Sequence, residues 1–297
     1  TGKIGFFSQS GGNSAELLYR GAGRGLTFSK VISYGNGADL NEADFLHYFA
    51  DDPQTEVIAG YIEGIKDGPK FIQALKEAAS HKPTIILKAG RTAAGTRAVS
   101  SHTASLAGSN VIWDGLCRQT GAIRVFSMEE LSDVLLAFNF LAPPKSRHTL
   151  VMGGGGGSSV AASDACEEAG LIVPALPEEL RQQIRGFAPE VWALINNPID
   201  GSVTGGPEVF LKAIKIATVH QLYDFIIYNA GPEWWLDHPD GAKMVQNMVP
   251  PAIKIGQEAG KPMAVIFGYS DATEEWKWRP IAELQEHCVN LKLPVFP

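Results

Sequence analysis

Residues 99–109, VSSHTASLAGS, surround His102 with small side chains rather than the large apolar ones that accompany a core histidine. Serine, threonine, alanine and glycine allow a ligand to approach the backbone closely. A neutral imidazole can attack a phosphoryl group, and helix N-terminal amides would stabilise the charge of the resulting phosphohistidine. The pattern therefore predicts a nucleophilic His102 at the start of a helix over about 104–119.

A carboxylate follows an apolar stretch upstream. Glu63 lies in EVIAGYIEG (56–64), at the end of a predicted strand, and α/β sheets place functional side chains at that edge. A carboxylate there can accept a hydrogen bond from an imidazole N–H and so fix the tautomer and orientation of the ring. Without His102 the same pattern is typical of a surface strand end, so Glu63 is a candidate only together with the histidine.

The stretch SQSGGNSAELL (8–18) places Ser10, Gly11 and Gly12 between a strand and a helix. The amides and macrodipole of a helix N-terminus favour an anion there. The pattern is neither GxGxxG nor a Walker A sequence. An ordinary strand–helix turn with a serine N-cap is the alternative.

A glycine- and serine-rich turn between a strand and a helix recurs in the second half as MGGGGGSSVAASD (152–164). Each glycine adds conformational entropy to the unfolded chain, so such a run suggests close approach to a ligand or to a partner's backbone. A flexible hinge is the alternative. The candidate phosphate-binding residues here are Gly153, Gly154, Gly155, Gly156, Gly157 and Ser158.

Two further stretches remain open. The loop KAGRTAAGTRA (88–98) carries Lys88, Arg91 and Arg97, which would either hold a phosphate or carboxylate or be solvated. The segment GPEWWLDHPDG (231–241) would form a lid, a wall of an acyl pocket or a subunit contact, of which the contact is favoured.

Strand and helix signals alternate along the whole chain, which predicts parallel sheets with helices on both faces. The Pro-rich stretch LAPPKSRH (141–148) marks a boundary. We therefore expect an α/β protein of two flavodoxin-like, doubly wound domains, 1–144 and 145–297. The abrupt first and last strands favour a piece of a longer polypeptide or a subunit that needs partners. Strands are expected at 3–9, 30–35, 56–64, 83–90, 122–127, 149–155, 222–230, 263–268 and 293–297, and helices near 12–25, 41–51, 68–81, 104–119, 128–141, 158–170, 177–186, 207–218, 242–260 and 278–291.

Composition excludes several classes of function. The net charge is −7 without a basic block, which argues against nucleic acid and anionic membranes as partners. No apolar run approaches the about 18 residues of a membrane span, and the N-terminus carries no secretory signal. Cys117, Cys166 and Cys288 are too far apart for a zinc site, so we expect reduced, buried thiols in a cytoplasmic protein.

Taken together, the motifs resemble a known family. The stretch KAGRT..G.RA..SHTASLAGS, together with GKIGFFSQSGG, GNGADLNEADFLHYFADDPQT, YIEGIKDG, GGGG..VAASDACEEAGL and NNPID, resembles the NDP-forming acyl-CoA synthetases. These include the ADP-forming acetyl-CoA synthetases within the succinyl-CoA synthetase superfamily. The resemblance covers essentially the whole chain, and its histidine motif is specific.

The resemblance implies roles for the candidate residues. His102, flanked by Ser101 and Thr103, would carry the phosphoryl group, and Glu63 would hydrogen-bond the histidine. Ser10–Gly12 and Gly153–Ser158 would open two phosphate-stabilising helices. The chain departs from the family at Ala104, where glycine is common, and in the nearly all-glycine second turn.

The resemblance further implies the reaction acid + CoA + ATP = acyl-CoA + ADP + phosphate, with Mg²⁺ accompanying the nucleotide and no metal bound by this chain. A CoA-binding Rossmann domain and an ATP-grasp domain would complete the enzyme, in the same polypeptide or in a separate subunit, as an oligomer. Two alternatives stay open. One is a ligand-sensing region like those fused to protein acetyltransferases, against which the intact SSHTASLAG counts; the other is an assembly module, for which His102→Ala would leave the complex active.

Overall fold

The computed structural model of the 297-residue chain describes residues 2–103, 110–237, 240–268 and 273–297, except the side chains of residues 100–103, 233 and 234. The chain divides into two compact units, Thr1–Phe140 and Leu141–Pro297. We describe each unit by itself. The domain limits expected from the sequence, 1–144 and 145–297, stay a prediction.

Unit 1 is built on a five-stranded sheet in the order β2-β1-β3-β4-β5. All of its strand pairs are parallel. Strands β1 and β4 are buried along their whole length, as near-continuous apolar runs are when helices cover both faces of a sheet. The strands are β1 (Ile4–Ser8), β2 (Phe28–Ser33), β3 (Val57–Ile62), β4 (Thr84–Lys88) and β5 (Ile123–Val125).

The helices of unit 1 begin at capping residues that the sequence provides. Side chains of Ser10, Asn41 and Asp67 accept backbone amide protons at the starts of the first three helices. The first helix packs on the last, and the third packs on the second and fifth. The helices are α1 (Gly11–Ala22), α2 (Glu42–Asp51), α3 (Gly68–His81), α4 (Ala93–Thr103), α5 (Asn110–Thr120) and α6 (Met128–Phe140).

The backbone around His102 differs from the expectation. The loop predicted after β4 is instead the helix α4, so His102 lies in the last turn of a helix and not at the start of one. Thr92 begins α4, since its hydroxyl accepts the Gly95 amide at 3.1 Å and its carbonyl accepts the Thr96 amide at 2.8 Å. The alanines of AAGTRAV favour this helix. Residues 104–109, where the helix start was predicted, lie outside the described residues.

Unit 2 contains a four-stranded parallel sheet in the order β6-β7-β8-β9. Isolated parallel bridges from Ile172 and Ile199 cover the outer edge of β6. Its strands are β6 (Thr149–Gly153), β7 (Phe225–Asn229), β8 (Met263–Ile266) and β9 (Val295–Phe296). Its helices are α7 (Gly156–Glu168), α8 (Glu178–Phe187), a 3-10 turn (Trp192–Leu194), α9 (Pro207–Thr218), α10 (Pro232–Leu236), α11 (Gly241–Glu258) and α12 (Glu275–Asn290).

The apolar core of unit 2 is formed by β6–β8 with helices α8, α9 and α11, around the buried side chains of Phe210, Tyr223, Tyr228 and Val249. The predicted fold class, an α/β protein of two flavodoxin-like, doubly wound parallel-sheet domains, is confirmed. Cys117, Cys166 and Cys288 are buried and form no disulfides, as expected.

Candidate functional site

The carboxyl edge of the unit 1 sheet brings two predicted elements onto neighbouring strands. The sheet order places β1 between β2 and β3, and a crevice forms at such a reversal of strand order. The turn Ser10–Gly12 follows β1, Glu63 follows β3, and Ser8 pairs with Tyr61 across the two strands. The serine–glycine turn and the glutamate therefore lie at the same edge of the sheet.

The turn after β1 presents unused amides. Ser10 caps α1, because its hydroxyl accepts the Asn13 amide at 3.3 Å. In the part of the chain that the structure describes, the exposed amides of Gly11 and Gly12 have no acceptor. A Cβ at Gly11 would come no closer than 3.7 Å to another atom, and one at Gly12 no closer than 3.8 Å. Internal packing thus does not require glycine here, whereas close approach of an anion to the amides would.

Gln9 is a residue at this edge that the sequence did not single out. Its side-chain oxygen accepts the amides of Glu63 and Gly64, the latter at 3.0 Å. Its side-chain nitrogen donates to the Gly64 carbonyl at 3.2 Å, and its own amide donates to Tyr61 O at 3.2 Å. The only sequence signal is its place in SQSGG, directly before the turn.

Glu63 is half-buried beside the hydroxyl of Tyr61. Burial first, and then the charge of Glu63, raise the pKa of Tyr61 to about 12. The side chain of Asn13, in the first turn of α1, opposes this rise in the pKa of Tyr61. Tyr61 therefore stays neutral at physiological pH.

Lys88 ends β4 as a buried cation, with 2% of its surface exposed. Of the two roles considered for the lysine, that of a solvated cation is wrong. Burial, opposed by the charge of Glu63 and reinforced by that of Arg124, lowers the pKa of Lys88 to about 8. Its ammonium donates to the Ala89 carbonyl, lies 5.8 Å from the ring centre of Trp113 and borders a mostly apolar cavity of about 190 Å³.

The side chains of Ser101, His102 and Thr103 lie outside the described residues. Their backbone forms the last turn of α4, which follows Lys88 after a short connection. The contact expected between His102 and Glu63, and the phosphate role of Ser101 and Thr103, stay predictions.

The glycine run of unit 2 separates into two parts. Gly153 and Gly154 have φ angles of 86° and 72°, which L side chains rarely adopt. A Cβ at Gly153 would come within 2.2 Å of the Asn229 carbonyl. A Cβ at Gly155, Gly156 or Gly157, in contrast, would come no closer than 3.7 Å to another atom. The first two glycines are needed by the fold, and the last three leave the start of α7 open.

Two polar side chains, Ser158 and Asp200, lie at the start of α7. The Ser158 hydroxyl accepts the Gly155 amide and donates to the Gly155 carbonyl, both at 2.9 Å, so its proton is used within the turn. Asp200 is buried and accepts the amide and hydroxyl of Ser202 at 2.7 Å and 2.6 Å. Its second oxygen faces Gly156. This carboxylate at the helix N-terminus was not identified from the sequence, although NNPID was part of the resemblance.

A cavity of about 600 Å³ opens at the carboxyl ends of β6, β7 and β8. Its walls include Gly154–Ser158, Asn229, Trp235 and Phe267. Of the three roles considered for the segment 231–241, the wall of a pocket is the one that Trp235 supports. The subunit contact favoured from the sequence stays a prediction.

The described residues contain neither a metal site nor a membrane span. No group of three or more histidine, cysteine, aspartate or glutamate side chains among them is placed to hold a metal ion. None of the described helices has the length and apolar character needed to cross a membrane.

Two family models match the chain in succession. The succinyl-CoA ligase like flavodoxin domain matches residues 1–138, and the ligase-CoA domain matches residues 149–227. The first covers the Ser10–Gly12 turn, Glu63 and His102, and the second covers the glycine run and Asp200.

Curated relatives are named as CoA ligases. The alpha subunit of acetate–CoA ligase [ADP-forming] II from Pyrococcus furiosus is 36% identical over 226 residues, which are 76% of this chain and 49% of the relative. The 4-hydroxybutyrate–CoA ligase [ADP-forming] from Nitrosopumilus maritimus is 38% identical over 67% of this chain and 29% of its own length. The chain thus spans half or less of these relatives.

A solved structure agrees with both units. The dinucleotide forming acetyl-coenzyme A synthetase 1 of Ca. Korarchaeum cryptofilum, in complex with phosphate and ADP, matches with a TM-score of 0.79 and 28% identity. The match covers 100% of this chain and 61% of that one. The chain therefore belongs to the NDP-forming (ADP-forming) acyl-CoA synthetase family of the succinyl-CoA synthetase superfamily.

Proposed function

We propose that this chain is the phosphoryl-relay part of an ADP-forming acyl-CoA synthetase, which catalyses acid + CoA + ATP = acyl-CoA + ADP + phosphate. The observation that carries the proposal is the carboxyl edge of unit 1, where Glu63 and the exposed amides of Gly11 and Gly12 follow adjacent strands. A carboxylate that orients an imidazole and amides that receive an anion are the two groups that a phosphohistidine needs.

His102 and Glu63 have separate roles in the proposed phosphoryl transfer. A ring nitrogen of His102 attacks the phosphorus of an acyl phosphate, the phosphorus–oxygen bond to the acyl group breaks, and the carboxylate leaves. Glu63 accepts the hydrogen bond of the other ring nitrogen and holds the neutral tautomer that the attack requires. In the synthetase direction these steps run in reverse, and CoA then displaces phosphate from the acyl phosphate.

The start of α1 is the first proposed phosphate contact, through Ser10, Gly11 and Gly12. The start of α7 is the second, through the amides of the open glycines Gly155, Gly156 and Gly157. Asp200 faces the same helix start, so an anion there would approach a carboxylate as well as the amides. The proposal for α7 therefore requires that the anion arrive with a compensating positive charge.

The substrates and partners of the whole enzyme belong to the same proposal. ATP or ADP with Mg²⁺, CoA and phosphate would be its substrates, and a CoA-binding Rossmann domain and an ATP-grasp domain, in the same polypeptide or another subunit, would complete a cytoplasmic oligomer. Support comes from the archaeal structure with phosphate and ADP and from the relative named as an alpha subunit. Relatives are named for acetate, 4-hydroxybutyrate and trans-feruloyl-CoA, so the acid is proposed only as a carboxylic acid.

The proposal is tested in the complete enzyme, with all its domains or subunits, ATP, Mg²⁺, CoA and a panel of carboxylic acids. We expect acyl-CoA and ADP to form in equal amounts. We expect His102→Asn to abolish turnover and Glu63→Gln to reduce it by up to about 10⁴-fold, as when the carboxylate that orients a catalytic histidine is replaced by its amide. His81→Asn, at the exposed end of α3, is the matched control. An active His102→Asn enzyme would contradict the proposal and favour an assembly role.

A further inference from the structure

Gln9 links the two halves of the candidate site in unit 1. It stands between the last residue of β1 and the N-cap of α1, and its side chain reaches the segment that follows β3. One side-chain oxygen accepts the amides of Glu63 and Gly64, and the nitrogen of the same amide group donates to the Gly64 carbonyl.

This side chain continues the sheet beyond its last strand pair. The backbone pairing of β1 with β3 ends at Ser8 and Tyr61, and the Gln9 amide adds one bond to the Tyr61 carbonyl. Glu63 and Gly64 come after that point, and the primary amide of Gln9 takes the place of a backbone peptide opposite them. To accept these backbone amides and also donate to the Gly64 carbonyl, a side chain needs an acceptor and a donor in one plane.

The other end of Gln9 leads directly into the phosphate turn. The next residue, Ser10, caps α1 and precedes the exposed amides of Gly11 and Gly12. Gln9 thereby ties the segment Glu63–Gly64 to the start of α1.

The core of unit 1 does not depend on this contact. Gln9 is half-buried at the edge of the sheet, and the register of β1 with β3 is already fixed by its five residue pairs from Ile4 to Ser8. Removal of the side-chain amide should therefore free the segment Glu63–Gly64 without unfolding the sheet.

We propose, resting on the proposed function, that Gln9 is a positioning residue that fixes the Glu63 carboxylate relative to the Gly11–Gly12 amides, so that both act on one phosphoryl group. Its hydrogen bonds in the described part of the chain go to Tyr61, Glu63 and Gly64. Its effect is on the alignment of Glu63 with the amides, and alignment matters because a misplacement of about 1 Å can cost about 10²-fold in rate.

The experiment uses the complete enzyme with Gln9→Met, which keeps the length of the side chain and removes its hydrogen bonds. Gln9→Glu keeps an acceptor oxygen and loses the donor, and Gln73→Met on the exposed face of α3 is the matched control. Single-turnover phosphorylation of the chain, kcat, KM and the thermal midpoint are measured for each. Hydrogen exchange of the peptide that contains Glu63 and Gly64 reports the contact itself.

We expect Gln9→Met to slow phosphorylation and kcat about 10- to 100-fold, with KM for the nucleotide within threefold and faster exchange at Glu63–Gly64. Gln9→Glu should retain a larger part of the rate, and Gln73→Met should behave like the unchanged enzyme. A Gln9→Met enzyme that is phosphorylated at the normal rate, or whose rate falls only with its folded fraction, would overturn the role of Gln9. Absence of phosphorylation in the unchanged enzyme would instead overturn the proposed function.

Discussion

Ser8 and Ser10 exchange two hydrogen bonds across the turn at the end of β1. The Ser10 amide donates to the Ser8 hydroxyl at 3.0 Å, and that hydroxyl donates to the Ser10 carbonyl at 2.8 Å. Ser8 is fully buried, so this pair is held by the sheet itself. The Ser10 carbonyl also accepts the Ser14 hydroxyl at 3.0 Å. The strand therefore fixes the first turn of α1, with the exposed amides of Gly11 and Gly12, before any ligand binds.

Ser8→Ala should disturb this preset turn. The substitution leaves the half-buried Ser10 amide without its acceptor, for which we expect a loss of about 1–3 kcal/mol in the free energy of unfolding. Phosphorylation of the chain should also slow, because the turn is then free to shift. Chemical unfolding measures the loss of stability, and the time course of labelling of the chain by γ-labelled ATP measures the rate of phosphorylation. Ser80→Ala, at the exposed end of α3, is the control; equal effects of the two substitutions would contradict the role given to Ser8.

Gly12→Ala separates folding from phosphate binding at α1. Alanine favours a helix over glycine by up to about 1 kcal/mol, and a Cβ at residue 12 meets no atom closer than 3.8 Å. We expect equal or greater stability together with slower phosphoryl transfer, since the new methyl group occupies the space before the amides. Gly115→Ala, at an open position of α5, should stabilise without slowing transfer. Normal transfer by Gly12→Ala would exclude a phosphate from this turn.

Gly154→Ala and Gly157→Ala test the division of the glycine run. Alanine at residue 154 would adopt a φ of 72° and approach the Ser158 hydroxyl to 2.6 Å, so the protein should lose stability. Gly157→Ala meets no nearby atom and should leave stability unchanged or raised while it slows transfer. Thermal unfolding and the labelling rate distinguish the two. Unimpaired transfer by Gly157→Ala would remove the start of α7 from the phosphate path.

Lys88→Met should raise stability at neutral pH. The pKa of Lys88 falls from 10.5 to about 8 on folding, so the charge opposes folding fully below pH 8. Between pH 8 and 10.5 the unfolded chain binds more protons than the folded one, and stability rises with pH through that window. We expect the free energy of unfolding to rise by up to about 3 kcal/mol at pH 7, reduced by the loss of the hydrogen bond to the Ala89 carbonyl. The gain should be smaller toward pH 10.5. Urea unfolding at both pH values checks this; Lys76→Met, exposed on α3, is the control.

If the free energy of unfolding gained by Lys88→Met does not change with pH, the buried charge is not the cause, because the effect of removing a charge must depend on protonation. A loss of phosphoryl transfer that accompanies the gain in stability would show that the buried cation serves the site. Such a trade between stability and activity is common where a functional site is itself destabilising.

The strands were predictable because most are near-continuous apolar runs that end in glycine or a polar residue, as in IGFFS and TIILK. Their carboxyl ends then indicated Glu63 and Ser10–Gly12 without a structure, since parallel sheets place ligands there. The helix α4 was missed because the small residues after Lys88 are common to loops and helices, and the cap at Thr92 becomes decisive only with its hydrogen bonds.

Other parts of the site depend on the fold. Gln9 contacts a segment 54 positions away through side-chain atoms, and no local pattern signals that reach. The five glycines from 153 to 157 look alike in the sequence, and only their φ angles and neighbours separate the structural pair from the open three. Asp200 comes to the start of α7 because Ile199, the residue before it, bridges to β6.

The most direct test of the account is phosphorylation of the chain itself. The complete enzyme is incubated with γ-labelled ATP and Mg²⁺, quenched in base or acid, and the label is located by peptide mapping. We expect label that is stable in base and lost in acid, in the peptide that contains His102, absent from His102→Asn and discharged by ADP. Under turnover conditions, no label on this chain, or label that persists in His102→Asn, would contradict the account.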